Sequence, residues 1–197
     1  MKVLLIIPPN IGRYVAATIP HAGIAYLSAM LKKDSHEVGL ADMRMHASNE
    51  YLFRRIEKFE PDLIGMTTAA IGYKMAYDII AAIKAKFPKI PIAIGGSYAS
   101  TVHSKILEDT KVDYVIYGEG ERTFVELANG MGRESIQGLI YRKGGEIVMN
   151  PPYSLEQDLD KLPFPDYGIF ELGKMLEKRI PIVSTRGCPN RCTFCSI

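Results

Sequence analysis

Short apolar runs alternate with amphipathic stretches along residues 1–130. The first run, Lys2–Ile7, stops at Pro8-Pro9-Asn10 and has the continuous apolar character of a strand buried on both faces. Helical spacing follows over Ile19–Lys33, where Ile24, Leu27 and Leu31 share a face. His36–Ala41 predicts a second strand. Ser48–Phe59 predicts an amphipathic helix, with Leu52, Ile56 and Phe59 in register and Ser48 as its N-cap. Asp62–Thr67 reads as a third strand, Lys74–Phe87 as a helix ended near Pro88, and Ile92–Ile94 as a fourth strand running into Gly95-Gly96. Thr101–Glu108 predicts a short helix, Asp113–Tyr117 a fifth strand and Arg122–Asn129 the helix after it.

Strands that alternate with helices imply right-handed crossovers and a parallel sheet covered on both faces. The expected class is therefore α/β, a flavodoxin-like (Rossmann-type) five-stranded parallel sheet of order 2-1-3-4-5. Beyond it the pattern changes. Gln137–Tyr141 and Glu146–Met149 flank the turn signal Lys143-Gly144-Gly145 and predict a small hairpin. Residues 150–166, with Pro151-Pro152 and Leu162-Pro163-Phe164-Pro165, read as an extended linker, and Tyr167–Lys178 as a helix. The expected divisions are a sheet domain over residues 1–136, the hairpin as an appendage over 137–149, linker and helix over 150–178, and the start of a further domain over 179–197.

In such a sheet ligands bind beyond the carboxyl ends of the strands. The loops there carry Asn10, Tyr14 and His21; Thr67, Thr68 and Gly72; Gly95, Gly96 and Ser97; and Gly118, Glu119 and Gly120. Apolar strands ending in glycine- and hydroxyl-rich loops suit a large amphipathic ligand, and Gly95-Gly96 lets one lie on the backbone. The plainer reading is that these glycines make the turns. A nucleotide is disfavoured: neither G-x-G-x-x-G nor G-x-x-x-x-G-K-[ST] occurs, and the acids around Gly120 would repel a pyrophosphate.

The net charge of +2 does not call for a nucleic acid, and no apolar run reaches the ~18 residues of a membrane span. A cytoplasmic protein is expected. All three cysteines, Cys188, Cys192 and Cys195, fall in the last ten residues, with spacing C-x3-C-x2-C. Three thiolates this close suit one soft metal centre. A four-iron cluster so held keeps one iron free of protein thiolate, where a small molecule can bind and receive an electron. A structural zinc site wants four ligands, and no fourth cysteine or nearby histidine completes it, although a zinc-binding tail on a flavodoxin-like sensor or response module stays open as an alternative.

Val183–Cys195 resembles the cluster motif of the radical S-adenosylmethionine superfamily, in which the motif follows the first strand of a (β/α) barrel; here that strand would be Arg179–Thr185. The order of Pro8–Asn10, His21–Leu27, Gly95–Ser100, Val112–Glu121, Leu162–Tyr167 and then the cysteines resembles the cobalamin-binding members of that superfamily, among them methyltransferases and the anaerobic cyclase of magnesium-protoporphyrin monomethyl ester. The resemblance implies a corrinoid at the carboxyl edge, its nucleotide tail toward Thr67-Thr68 and Gly95-Gly96. It further implies that Cys188, Cys192 and Cys195 hold a 4Fe-4S cluster that binds S-adenosylmethionine in a longer parent enzyme acting on a small-molecule substrate. TIM-type barrels run to about 250 residues, so the expectation is that this chain lacks the barrel and binds corrinoid without catalysis.

Asp34-Ser35-His36-Glu37-Val38-Gly39 matches D-x-H-x-x-G, a pattern by which some cobalamin proteins supply histidine to cobalt. It precedes the second strand, so His36 is expected at the amino edge, away from any ligand. His21 reads first as a solvated helix-start histidine, with approach to the corrin as the alternative and cobalt ligation disfavoured, and His46 and His103 read as surface residues.

Overall fold

In the first strand, β1 (Lys2–Ile7), Val3, Leu5 and Ile7 point to one face and Leu4 and Ile6 to the other. All five are buried, which is why the run carries no polar alternation. The computed structural model of the chain describes residues 1–9, 19–177, 179–188, 190, 192 and 193. Of the sequence-derived candidates, Asn10, Tyr14 and Cys195 lie outside the described residues.

Helices and strands then alternate: α1 (Ala22–Lys33), β2 (Glu37–Asp42), α2 (Asn49–Phe59), β3 (Leu63–Thr67), α3 (Tyr73–Lys86), β4 (Ile92–Gly95), α4 (Ser97–Val102), α5 (Lys105–Asp109), β5 (Tyr114–Ile116) and α6 (Gly120–Ala128). The first five strands pair in parallel in the expected order. The hairpin, β6 (Leu139–Lys143) and β7 (Glu146–Met149), adds to the same sheet antiparallel to β5, giving seven strands in order β2-β1-β3-β4-β5-β6-β7. Register aligns Ile6 with Ala41 and Met66, Met66 with Ile94, and Ile94 with Val115. The ends of β1 to β5 therefore form one edge.

Two apolar layers cover the sheet. On one face Leu4, Ile6, Ile64 and Ile92 meet Leu52 and Ile56 of α2, Ile80 and Ile83 of α3 and Ile106 of α5. On the other, Val3, Leu5, Ala93 and Ile116 meet Ile24 and Leu31 of α1 and Phe124 of α6. Ser48 caps α2 as expected, accepting from the Tyr51 N–H at 3.2 Å.

Three expectations are corrected. The single helix over Thr101–Glu108 is two, α4 and α5. The first begins straight after Gly96 and ends at His103, whose φ of 50° is left-handed. The stretch expected as a helix over Tyr167–Lys178 is, through its described residues 167–177, not an α-helix; it forms separate 3-10 turns at Tyr167–Ile169 and Leu172–Lys174. Tertiary anchors override its helical pattern: Asp166 accepts from Ser28 Oγ and Lys32 Nζ, both at 2.7 Å, and its N–H donates to Ala25 O at 2.9 Å. Phe170 and Met175 are buried in the same apolar layer as Ile24 and Leu31 of α1. Residues 179–185 form no sheet ladder among the described residues; no neighbouring strand meets their backbone groups. No described helix is long and apolar enough to cross a membrane.

Candidate functional site

The sheet order reverses between β1 and β3, since β2 lies on one side of β1 and β3 on the other. Crossovers diverge there and leave a crevice at the carboxyl edge. Two cavities lie along this edge. The first, about 230 Å³, is an apolar slot between the sheet and helices α1 and α6, walled by Ile24, Leu27, Gly65, Ala93, Ile116 and Phe124. The second, about 390 Å³, is more polar and opens between the ends of β1 and β3, lined by Pro8, Pro9, Arg44, Ala69 and Ile71.

His21, Thr67 and Gly96 line both cavities. Gly95, Gly118 and Gly120 line the first, and Thr68, Gly72 and Ser97 the second. Glu119 lines neither. One of its oxygens accepts from the Glu156 N–H at 2.9 Å, and the other pairs with Arg186 at 3.2 Å. The sequence reading missed the apolar walls and Arg44. A signal for the walls existed in Gly65, a glycine within a buried strand, which marks close approach. A Cβ there would stand 2.6 Å from the Phe124 ring and 2.9 Å from Leu5. Removing it lets Phe124 lie against β3 and shapes the slot.

Gly96 has a more local role than ligand approach. Its φ is 98°, and a Cβ would meet Thr68 O at 2.5 Å, so the β4–α4 turn requires glycine. Gly95 differs: a Cβ there would make only ordinary contacts with Ile116, at 3.6 and 3.8 Å. It faces the slot without clash.

Electrostatics at the second cavity centre on Arg44. Its guanidinium grips Asp42 through two bonds, at 2.8 and 2.7 Å, and donates to Ile19 O at 3.1 Å, fixing the approach to α1. The two side chains are 10% and 9% exposed, so the pair is shielded from screening water. His21 caps α1, its Nδ1 accepting from the Ile24 N–H at 3.3 Å. Burial, and secondarily the Arg44 charge, lower its pKa below the ordinary imidazole value.

His36 sits at the opposite, amino edge. Its Nε2 meets Asn129 Oδ1 at 2.9 Å, its Nδ1 meets the Met1 amino group at 3.3 Å, and Asn129 in turn donates to Asp34. It ties β2 to the end of α6. His46 and His103 are half-buried rather than free at the surface, packed on the rings of Tyr51 and Tyr117. Cys188 and Cys192 are exposed, and no group of three or more metal-ligating side chains is assembled among the described residues.

The family model for the B12 binding domain matches residues 11–128. The chain belongs to the B12-binding domain family. It is 33% identical over its whole length to an uncharacterized methyltransferase of Pyrococcus horikoshii, of which it covers 45%. It is 29% identical over 98% of its length to the anaerobic magnesium-protoporphyrin IX monomethyl ester cyclase of Rubrivivax gelatinosus, of which it covers 38%. This B12-binding domain thus spans less than half the length of these curated relatives. Its fold is shared with the cobalamin-dependent S-adenosylmethionine radical enzyme OxsB, solved with aqua-cobalamin and S-adenosylmethionine bound: the TM-score is 0.83 at 22% identity, over 98% of this chain and 28% of that one.

Proposed function

We propose that the chain holds a cobalamin at the carboxyl edge of its sheet. We further propose that it works as the corrinoid-binding part of a radical S-adenosylmethionine enzyme of the methyltransferase or ester-cyclase kind. The slot at the carboxyl edge, beside the topological switch point, carries this reading. It is apolar and glycine-lined at Gly95, Gly118 and Gly120, and it meets a polar cavity bearing Thr67, Thr68 and Ser97. That pairing matches a corrinoid tail, which combines a flat aromatic base with a polar linker. Gly95 is the cradle a side chain would fill.

A bound corrinoid supplies a cobalt centre that carries a methyl group or an electron. The chain's own residues do the rest. Ile24, Leu27, Ile116 and Phe124 exclude water from the slot, Thr67 and Thr68 offer hydroxyls toward the polar cavity beside it, and His21 stands where the cavities meet. Cys188 and Cys192, with Cys195, are the thiolates that would hold a four-iron cluster and through it S-adenosylmethionine.

Spectrophotometric titration with hydroxocobalamin is expected to show base-off binding, with corrinoid retained through desalting. Gly95→Val leaves the turn intact and places methyl groups in the slot, so retention should fall at least tenfold while the circular dichroism spectrum stays unchanged. Equal retention by the wild type and Gly95→Val would show that the tail does not enter this slot, and no retention by either would sink the corrinoid reading. Gly96→Val is the poorer probe, because it breaks the turn whether or not a ligand binds.

A further inference from the structure

Among the described residues, a charged contact joins the cysteine-bearing segment to the sheet domain. Arg186 lies two residues before Cys188, so its Cα and that of Cys188 are at most about 7 Å apart. Its guanidinium pairs with Glu119 at 3.2 Å and Glu121 at 2.7 Å and stands 5.2 Å from the centre of the Tyr26 ring. Glu119 is the N-cap residue of α6, Glu121 is in that helix's first turn and lines the apolar slot, and Tyr26 is on α1. The three charged side chains are only 17%, 18% and 13% exposed. Ion pairs in the open contribute little; a shielded guanidinium between two carboxylates and an aromatic face is better placed to hold a chain segment. Two more contacts support the same seating. The Tyr167 hydroxyl donates to Pro181 O, and Gly187, at a φ of 79°, runs so close to Leu155 of the linker that a Cβ would lie 3.4 Å from it.

We propose that Arg186 is a positioning residue. It latches the segment carrying Cys188 onto the rim of the slot, so that the cysteine motif and the contents of the slot are held in one arrangement. The proposal rests on the corrinoid reading for what fills the slot, though not for the latch itself. Without Arg186, Glu119 and Glu121 would face each other partly shielded and uncompensated, and the rim would loosen together with the segment. Linkage is reciprocal: if seating the segment favours an occupied slot, occupation favours seating to the same degree.

The test uses the full chain with Cys192→Ser and Cys195→Ser, and a nitroxide on Cys188. Its line shape reads mobility, and its distance to the cobalt of cob(II)alamin reads placement. Corrinoid retention is measured separately. The latch predicts an immobilised label and a narrow distance distribution. Arg186→Gln, and Glu119→Gln with Glu121→Gln, should each mobilise the label several-fold and broaden the distribution, with the circular dichroism spectrum unchanged. Exchanging the charges, as Arg186→Glu with Glu121→Arg and Glu119→Gln, should restore immobilisation, which a merely structural loss would not do. Identical line shapes in the wild type and Arg186→Gln overturn the latch. If no chain retains corrinoid, the corrinoid reading falls, and the line shapes without corrinoid still decide the latch.

Discussion

The Nδ1 atom of His21 accepts the Ile24 N–H, so the neutral ring, which lines both cavities, carries its proton on Nε2. That atom is a donor and not a lone pair, which argues against cobalt ligation. Cob(II)alamin on this chain should therefore show no imidazole nitrogen splitting by electron paramagnetic resonance. A splitting that vanishes in His21→Asn would overturn this. His21→Asn keeps an N-cap acceptor and should cost less than about 0.5 kcal/mol at neutral pH. The pH dependence follows from the lowered pKa, caused by burial and then by Arg44, with Asp42 opposing. Above the unfolded value of about 6.5 the ring contributes no pH slope. As pH falls below it the unfolded chain takes up the proton first, so stability drops until the folded value is passed. Chemical denaturation across pH 7.5 to 5 should show a shallower acid loss in His21→Asn than in the wild type; identical slopes would mean that His21 titrates as it does in the unfolded chain. At the other edge, His36→Ala should lose about 1 kcal/mol from its bonds to Asn129 and Met1. Its corrinoid retention should not change.

Among the elements, the strands and long helices were legible because each is decided by a local period: continuous apolar runs for β1 and β3, 3.6-residue spacing for α1, α2 and α3. Two of the three failed expectations, α4–α5 and the stretch after Tyr167, are short segments, interrupted by the left-handed His103 in the first and overridden by the anchors of Asp166 in the second. The hairpin was readable as a hairpin, but its place in the sheet depends on long-range contacts. Asn150 is one of them: it is buried, its Nδ2 donates to Arg133 O and Ile136 O at 2.7 Å each, and its carbonyl accepts from the Tyr117 hydroxyl. Asn150→Ala leaves the buried Ile136 carbonyl and the Arg133 carbonyl without their donor and should lower stability by about 2 kcal/mol. The urea midpoint should fall at constant m. Asn150→Asp should be worse, since a carboxylate would face the same two carbonyls. A loss below about 0.5 kcal/mol in both would mean that water replaces the amide and that the hairpin is held by its ladder alone.

Across the molecule, the carboxyl-edge loops were legible as a site because topology alone places ligands there, and Thr67, Gly95 and Gly118 do line the cavities. The apolar walls and the contacts of Glu119 were not. Phe124 reaches Gly65 from far along the chain, and Arg186 reaches Glu119 across 67 residues, separations over which no periodicity carries information. Those long contacts also define how far the cysteine segment and the sheet depend on each other. Cys192 is exposed and belongs to none of the contacts of Arg186 with Glu119, Glu121 and Tyr26. The slot is built from β3 to β5, α1 and α6, all of which pack without it. Changes at separate sites add to within about 0.5 kcal/mol. Cys192→Ala should accordingly bind hydroxocobalamin with a dissociation constant within about twofold of the wild type, while removing one of the thiolates proposed for the cluster. Arg186→Gln is the contrasting case, since its partners form the rim of the slot. A tenfold weakening in Cys192→Ala would mean that the cysteines themselves shape the corrinoid site. The separation of a binding sheet from a cluster segment, joined at Arg186, would then be the wrong division of this chain.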